Sequence, residues 1–207
     1  MSSISRADLI VVEQIVYDNL SVSLGNGTFD SSNKRFREDY LKSAIAFADI
    51  RTVNILLKSK QDFNLTELYQ TQSGIASGSS VNQNWAVISV TDETTSKRSL
   101  ELPWHKYRLL TQYGSGVFDT TNYKGYHSFQ DGKIFTIMSG TCTITYINLT
   151  HQPTISGLKS PTGFESVVAS FATAHLLMKR LEKPDEAKYY EGVAYNFLSE
   201  YGIKTED

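Results

Sequence analysis

Reactive chemistry needs particular side chains brought within reach of one another, and in this sequence the candidates are few. The four histidines are His105, His127, His151 and His175, and none lies three to five residues from another. No helix therefore carries imidazoles at metal-binding spacing. His175 falls within a late helical segment and reads as a partly exposed helix residue. The single cysteine, Cys142, alternates with Ile144 and Tyr146 and reads as an inward structural thiol with no neighbouring base to activate it. Acidic pairs occur at Glu38-Asp39, Asp92-Glu93 and Asp185-Glu186. Sequence neighbours do not face each other on a helix, so these are poor general acid–base couples. Gly114 and Gly116 lack the following helix that a phosphate cradle needs, and no Walker, GxGxxG or GxSxG pattern is present. The expectation is a protein that is not an enzyme, with no catalytic, cofactor-binding or metal-ligating residues.

One cluster stands out. Lys34-Arg35-Phe36-Arg37 gathers three cations around an aromatic residue at the start of a helical segment, where positive charge opposes the helix dipole. A solvated helix start is the plain reading, and an acidic partner or a nucleic-acid backbone is the functional one. At the other end, residues 182–207 hold seven acidic against three basic residues. Two ends of unlike charge suit head-to-tail contact between copies.

The whole chain has 207 residues and a net charge of −2, with 20 basic and 22 acidic side chains. That balance excludes an obligate nucleic-acid coat and a polybasic membrane binder, both of which carry a basic excess. One cysteine excludes an intrachain disulfide framework and a cysteine zinc site. The first residues lack a basic-then-apolar signal pattern, and no apolar run reaches the length of a membrane span. A cytoplasmic chain, or one built into an assembly in the cytoplasm, is expected.

The elements that must position these residues follow from periodicity. Leu9, Val12, Val16 and Leu20 are spaced by three and four, which predicts a helix that Gly25-Asn26-Gly27 stops. A second helix follows Ser31-Ser32-Asn33 with Leu41, Ile45, Ala48, Ile55 and Leu56 buried, and ends near Lys58. Residues 59–112 predict two or three strands with irregular links, among them Trp85–Val90 and Leu100–Leu102, with Gly74–Ser80 a flexible loop. Segments Gly125–Gln130, Lys133–Met138 and Thr141–Leu149 are separated by the turn pairs Asp131-Gly132 and Ser139-Gly140. They predict a β-meander over 125–149, its last strand buried on the Cys142 side and threonine-lined on the other. Thr162 and Glu165 have capping-box spacing ahead of a helix marked by Val167, Phe171, Ala174, Met178 and Leu181. After Pro184 a last helix carries Ala187, Tyr190, Ala194, Phe197 and Tyr201, and Gly202 closes it. The predicted fold class is α+β: a bundle of about four helices from residues 1–60 and 155–207, with an antiparallel β domain inserted at 61–154.

This order of elements resembles the head–tail connectors of tailed bacteriophages, the adaptor or head-completion proteins that sit below the portal. The residues that carry the resemblance are Ser128-Phe129-Gln130-Asp131-Gly132-Lys133-Ile134-Phe135, then Gly140-Thr141-Cys142-Thr143-Ile144-Thr145-Tyr146-Ile147. Glu165–Leu181 and Pro184-Asp185-Glu186-Ala187-Lys188-Tyr189-Tyr190 are similar to the family's last helix pair. The resemblance implies a structural virion protein with no reaction to catalyse. Its copies would form a homo-oligomeric ring of twelve, joining the portal protein to tail or next-ring proteins. Viral DNA would pass through the channel without specific binding. The implied location is the neck of the virion, assembled in the host cytoplasm, with no membrane contact.

A closed ring needs two complementary patches on each subunit. The candidate interface residues are Lys34, Arg35 and Arg37 at the basic end, and Tyr201, Ile203 and Lys204 at the other. Ile203 has two roles open to it: folding back on the last helical turn behind Gly202, or entering a portal groove with Lys204–Asp207 lying alongside as a short strand. The alternative function is a β-rich ligand- or glycan-binding module on a helical base, with Trp85, Trp104, Tyr107, Tyr113 and Tyr123 as stacking platforms.

Overall fold

The computed structural model of the chain describes residues 6–24, 38–59, 63, 65–113, 125–138, 140–150 and 157–203. The fold is α+β, with helices α1 (Leu9–Leu24), α2 (Glu38–Lys58), α3 (Trp104–Tyr113), α4 (Glu165–Arg180) and α5 (Pro184–Glu200). The strands are β1 (Gln70–Ile75), β2 (Trp85–Asp92), β3 (Leu100–Glu101), β4 (Tyr126–Gln130), β5 (Lys133–Thr136) and β6 (Cys142–Asn148). The chain divides into two compact units, one from residues 1–65 with 151–207 and one from residues 66–150. Among the described residues, no helix is long and apolar enough to cross a membrane.

In the helical unit α4 is the centre. Ala-rich and apolar on nearly every face, it buries all residues from Val167 to Ala174 together with Leu176 and Leu177. The other three helices pack on it. The predicted stripe of α1 is buried in full at Val12, Val16 and Leu20, and Asp8 caps the helix by accepting from the Ile10 N–H at 2.8 Å. On α2 the stripe is Leu41, Ile45, Ala48 and Leu56, while Ile55 is only half-buried. On α5 the buried series is Ala187, Tyr190, Ala194 and Leu198. Leu198 takes the place predicted for Phe197 and Tyr201, because spacings of three, four and four keep the smaller side chain against α4. Met178 is likewise 43% exposed, at the end of α4 where its neighbours thin out.

The predicted capping box at Thr162 and Glu165 does not form. The N-cap is Phe164, which offers no side-chain acceptor. Thr162 donates instead to the Arg6 carbonyl at 3.0 Å, and the Glu165 carboxylate accepts from the Gly163 N–H at 2.8 Å and the Asp8 N–H at 3.3 Å. The Arg6 and Asp8 partners, both distant in sequence, use groups that a local cap would have used. They tie the chain ahead of α1 to the chain ahead of α4, as does the Ala7 N–H donating to Ser160 O.

The β unit corrects three expectations. The β-meander is absent: β4 and β5 form the predicted hairpin, but β6 leaves them and lies between β1 and β2 in a second sheet. A strand that buries Cys142, Ile144, Tyr146 and Ile147 needs partners on both edges, and the four-residue β5 offers one short edge. The hairpin turn itself is as predicted, with φ of 51° at Asp131 and 70° at Gly132, the left-handed pair of a tight hairpin. The domain is not wholly antiparallel either, since β3 runs parallel to β4. Finally, the segment after Pro103 is helix α3, not strand or irregular chain. Pro103 accepts from the N–H groups of Lys106 and Tyr107 to start it, and Leu102, Tyr107, Leu110 and Tyr126 pack together beneath it.

The two sheets close on each other through two short seams. Past the end of β2, the Asp92 N–H donates to Lys97 O, Thr91 bridges Arg98, and the Ser99 N–H donates to Val90 O. On the other side, the chain after β1 turns at 76–79 and pairs with β5, through Gly78 N–H to Ile134 O at 2.6 Å, Ile134 N–H to Ser79 O and Val81 N–H to Gly132 O. The small-residue run expected to be a flexible loop is thus a corner at which one strand passes from sheet to sheet. The result is a small barrel filled by Ile75, Val90, Ile134, Cys142, Ile144 and Tyr146.

Candidate functional site

Four of the six residues predicted to form an interface, Lys34, Arg35, Arg37 and Lys204, lie outside the described residues. The other two are close together behind α5. Tyr201 is 44% exposed. Its ring stacks on Phe164 at 4.7 Å and its hydroxyl donates to Gly163 O at 2.8 Å. Gly202, with φ of 72°, donates to Ser199 O, and the Ile203 N–H donates to Leu198 O. This pair of bonds is the Schellman arrangement of a helix end. Ile203 is 2% exposed, so its side chain is engaged in the fold. That supports the capping role over the docking one.

The surface of the helical unit offers a different set of contacts. Ile10 is 74% and Val22 79% exposed, and Val11 is exposed beside them. Ile10, Gln14, Asp18 and Val22 are spaced by four along α1, opposite the buried Val12–Val16–Leu20 stripe. The face is apolar at both ends and polar in the middle. Elsewhere on this unit Phe47 lies against the His175 ring at 4.5 Å beside the exposed Met178. His175 is half-buried, as its position predicts.

One polar knot was invisible in the sequence. Asp49 on α2, 2% exposed, accepts from the Lys159 N–H at 2.8 Å, the Ser160 N–H at 2.9 Å and the Ser160 hydroxyl at 2.6 Å. A nearby junction joins three helices. The Arg51 guanidinium pairs with Glu191, donates to the Tyr195 hydroxyl at 2.8 Å and lies 4.3 Å over the Phe171 ring. Both features are structural: every group faces a partner within the fold.

In the β unit the aromatic platforms are occupied. Trp85 stacks on Tyr146 at 3.7 Å, and Trp104 lies on Tyr107 and Phe135. Tyr107 is buried. Tyr123 and the side chain of Tyr113 lie outside the described residues. Of the five candidate platforms, Trp85, Trp104 and Tyr107 each have their ring against another aromatic side chain.

Of the acidic pairs, Asp185-Glu186 has Glu186 paired with Lys183 at 2.6 Å, and both members of Asp92-Glu93 accept hydrogen bonds. Glu93 accepts from the Thr141 hydroxyl at 2.6 Å, the Gly74 N–H at 2.5 Å and the Thr143 hydroxyl at 3.1 Å, and these bonds hold its carboxyl below the usual range. Asp92 closes the following turn by accepting from the Thr94 N–H at 2.7 Å. Both carboxylates hold strands together. Cys142 is buried, and that burial, with the Glu93 charge second, pushes its thiol up to about 11. It is no nucleophile at neutral pH. His127 is the exception to the scattered histidines. It is 3% exposed, its Nδ1 lies 2.9 Å from the Ser99 Oγ, and burial pushes it down to about 4. The imidazole is neutral at physiological pH, too weak a base to activate the serine. The two residues are 28 apart in the chain, and only the parallel β3–β4 pairing brings them together. Among the described residues, no group of three metal-ligating side chains occurs.

No protein-family model matches the sequence, and a search among curated proteins finds no relative.

Proposed function

We propose that the chain is a structural subunit of a phage head–tail connector, an adaptor that forms a ring between portal and tail and lengthens the DNA channel. The observation that carries this reading is the insertion layout. Two N-terminal and two C-terminal helices make one unit around α4, and the intervening residues 66–150 form a unit of their own. That is the organisation on which the resemblance to connectors rests.

The surface of the helical unit supports the same reading. A ring subunit keeps surface for its neighbours, and contiguous exposed apolar side chains, such as Ile10 with Val11, mark interaction faces. The α1 face carries two of them at its ends, Ile10 and Val22, and in this reading it meets an adjacent copy. The charged groups that line the known polar contacts hold elements within each unit. The mechanism is therefore geometric: subunits associate, stack on the portal and present a seat for the next ring, with no bond made or broken.

The test is assembly. Ile10→Lys with Val22→Lys changes only exposed positions, so monomer stability should move by no more than about 0.5 kcal/mol. Ring formation on the portal protein of the same genome should be lost. Rings that form as before would remove the α1 face from the proposal.

A further inference from the structure

The wall of the β barrel has a break, and its edges are built from specific residues. Along the seam, Asp92 pairs with Lys97, Thr91 with Arg98 and Val90 with Ser99. Continued in register, Ile88 would face Glu101. Instead the register of β2 shifts between Val87 and Ser89, and the Ile88 carbonyl accepts from the Arg98 guanidinium at 3.3 Å. On the facing strand, Leu100 and Leu102 donate to Gly125 O and His127 O of the β4 side. Alternate residues of a strand direct their peptide groups to opposite edges, so those of Glu101 point toward β2 across the gap.

The gap is a cleft of about 440 Å³ lined by Val87, Ile88, Arg98, Ser99, Glu101 and His127 among others. His127 is the second observation. It is more than nine-tenths buried and spends Nδ1 on Ser99, while its Nε2 makes no hydrogen bond among the described residues. His127 lines the cleft, so this ring nitrogen is available to a ligand there, and ligand sites favour the mouths of β-barrels.

We propose that this cleft binds the free C-terminal end of an extended peptide, its carboxylate on Arg98 and its last apolar side chain against Val87, Ile88 and Leu100. The chemistry of the walls selects this class. A strand edge with the Glu101 peptide groups turned to the gap matches a peptide backbone, the partner used in strand addition. One guanidinium suits one carboxylate. Glu101 on the same lining disfavours a phosphate, whose second negative charge has no cation to meet it. His127 Nε2 completes the site by bonding the terminal residue. The inference is independent of the connector reading, since it rests only on the β unit.

Binding to the full-length chain is measured by fluorescence anisotropy with a labelled hexapeptide of alternating threonine and valine ending in a free valine carboxylate. The same peptide amidated and free N-acetylvaline serve as comparison probes. The acid should bind about tenfold or more tightly than the amide, the size of one charge-assisted hydrogen bond. Arg98→Gln, at an exposed position, should erase that ratio. The Nε2 resonance of His127 should shift on titration with the acid. Absence of saturable binding by the acid peptide, equal binding of acid and amide, or a ratio untouched by Arg98→Gln would each overturn the proposal. N-acetylvaline binding as tightly as the hexapeptide would overturn the peptide part by showing a small-acid site.

Discussion

The two units solve the problem of apolar surface in opposite ways. The β unit closes: its sheets join at two seams, its core is internal to the barrel, and α3 covers one outer face. The helical unit stays open. Its core is one helix surrounded by three, and it carries most of the large exposed apolar side chains, including Ile10, Val22 and Tyr189. The polar groups differ to match. In the β unit Glu93 collects hydroxyls from the half-exposed threonine face of β6. In the helical unit Asp49 is buried and fixes the chain that leads into α4. The contrast teaches that the helical unit has surface left for large partners, while the β unit has only a cleft.

Each unit carries its own reporter, because both tryptophans, Trp85 and Trp104, lie in residues 66–150 while most helix lies outside them. Phe171→Ala empties the centre of α4 and should cost about 4 kcal/mol. Helical circular dichroism should melt earlier with tryptophan fluorescence nearly unmoved; loss of both together would mean that the units do not behave separately. Asp49→Ala strands two N–H groups and a hydroxyl and should cost about 3 kcal/mol, again in the dichroism signal. A denaturation midpoint equal to that of the parent would show that the knot holds nothing.

Acid should act on the other unit. His127 titrates at about 4 when folded against an ordinary value of 6.5, so the unfolded chain binds the proton more readily between those limits. Stability is fully present above pH 6.5 and falls as the pH drops toward 4, by at most about 3 kcal/mol. The depressed Glu93 carboxyl adds a loss in the same direction at still lower pH. Tryptophan-monitored melts across pH 7 to 4 should show this slope, and His127→Gln should flatten it. The smallest effect is at the end of α5. Gly202→Ala forces a side chain into a left-handed position and should cost about 1 kcal/mol; no change would deny the Schellman cap its role.

What the sequence made legible was local. The helices appear where apolar residues recur at three and four, and the Asp131-Gly132 turn where its left-handed dipeptide stands. Non-local pairing was not legible. Nothing near Cys142 says that β6 joins β1 and β2, because a strand's partners are chosen by burial on both edges. Helix α3 did leave a signal, Trp104, Tyr107 and Leu110 in steps of three after Pro103, which the aromatic character of the segment obscured. The same limit holds for the cleft. Ser99 and His127 meet only through the parallel β3–β4 pair, and Asp49 looks like any helix-surface carboxylate until Ser160 folds onto it.

The most direct test of the connector proposal is to mix the purified chain with the portal protein of the same genome and image the product by negative stain. Portal rings should gain a coaxial second ring, in register with the portal's symmetry. Portals that gain no density, with the added chain remaining a free monomer at every concentration tried, would contradict it.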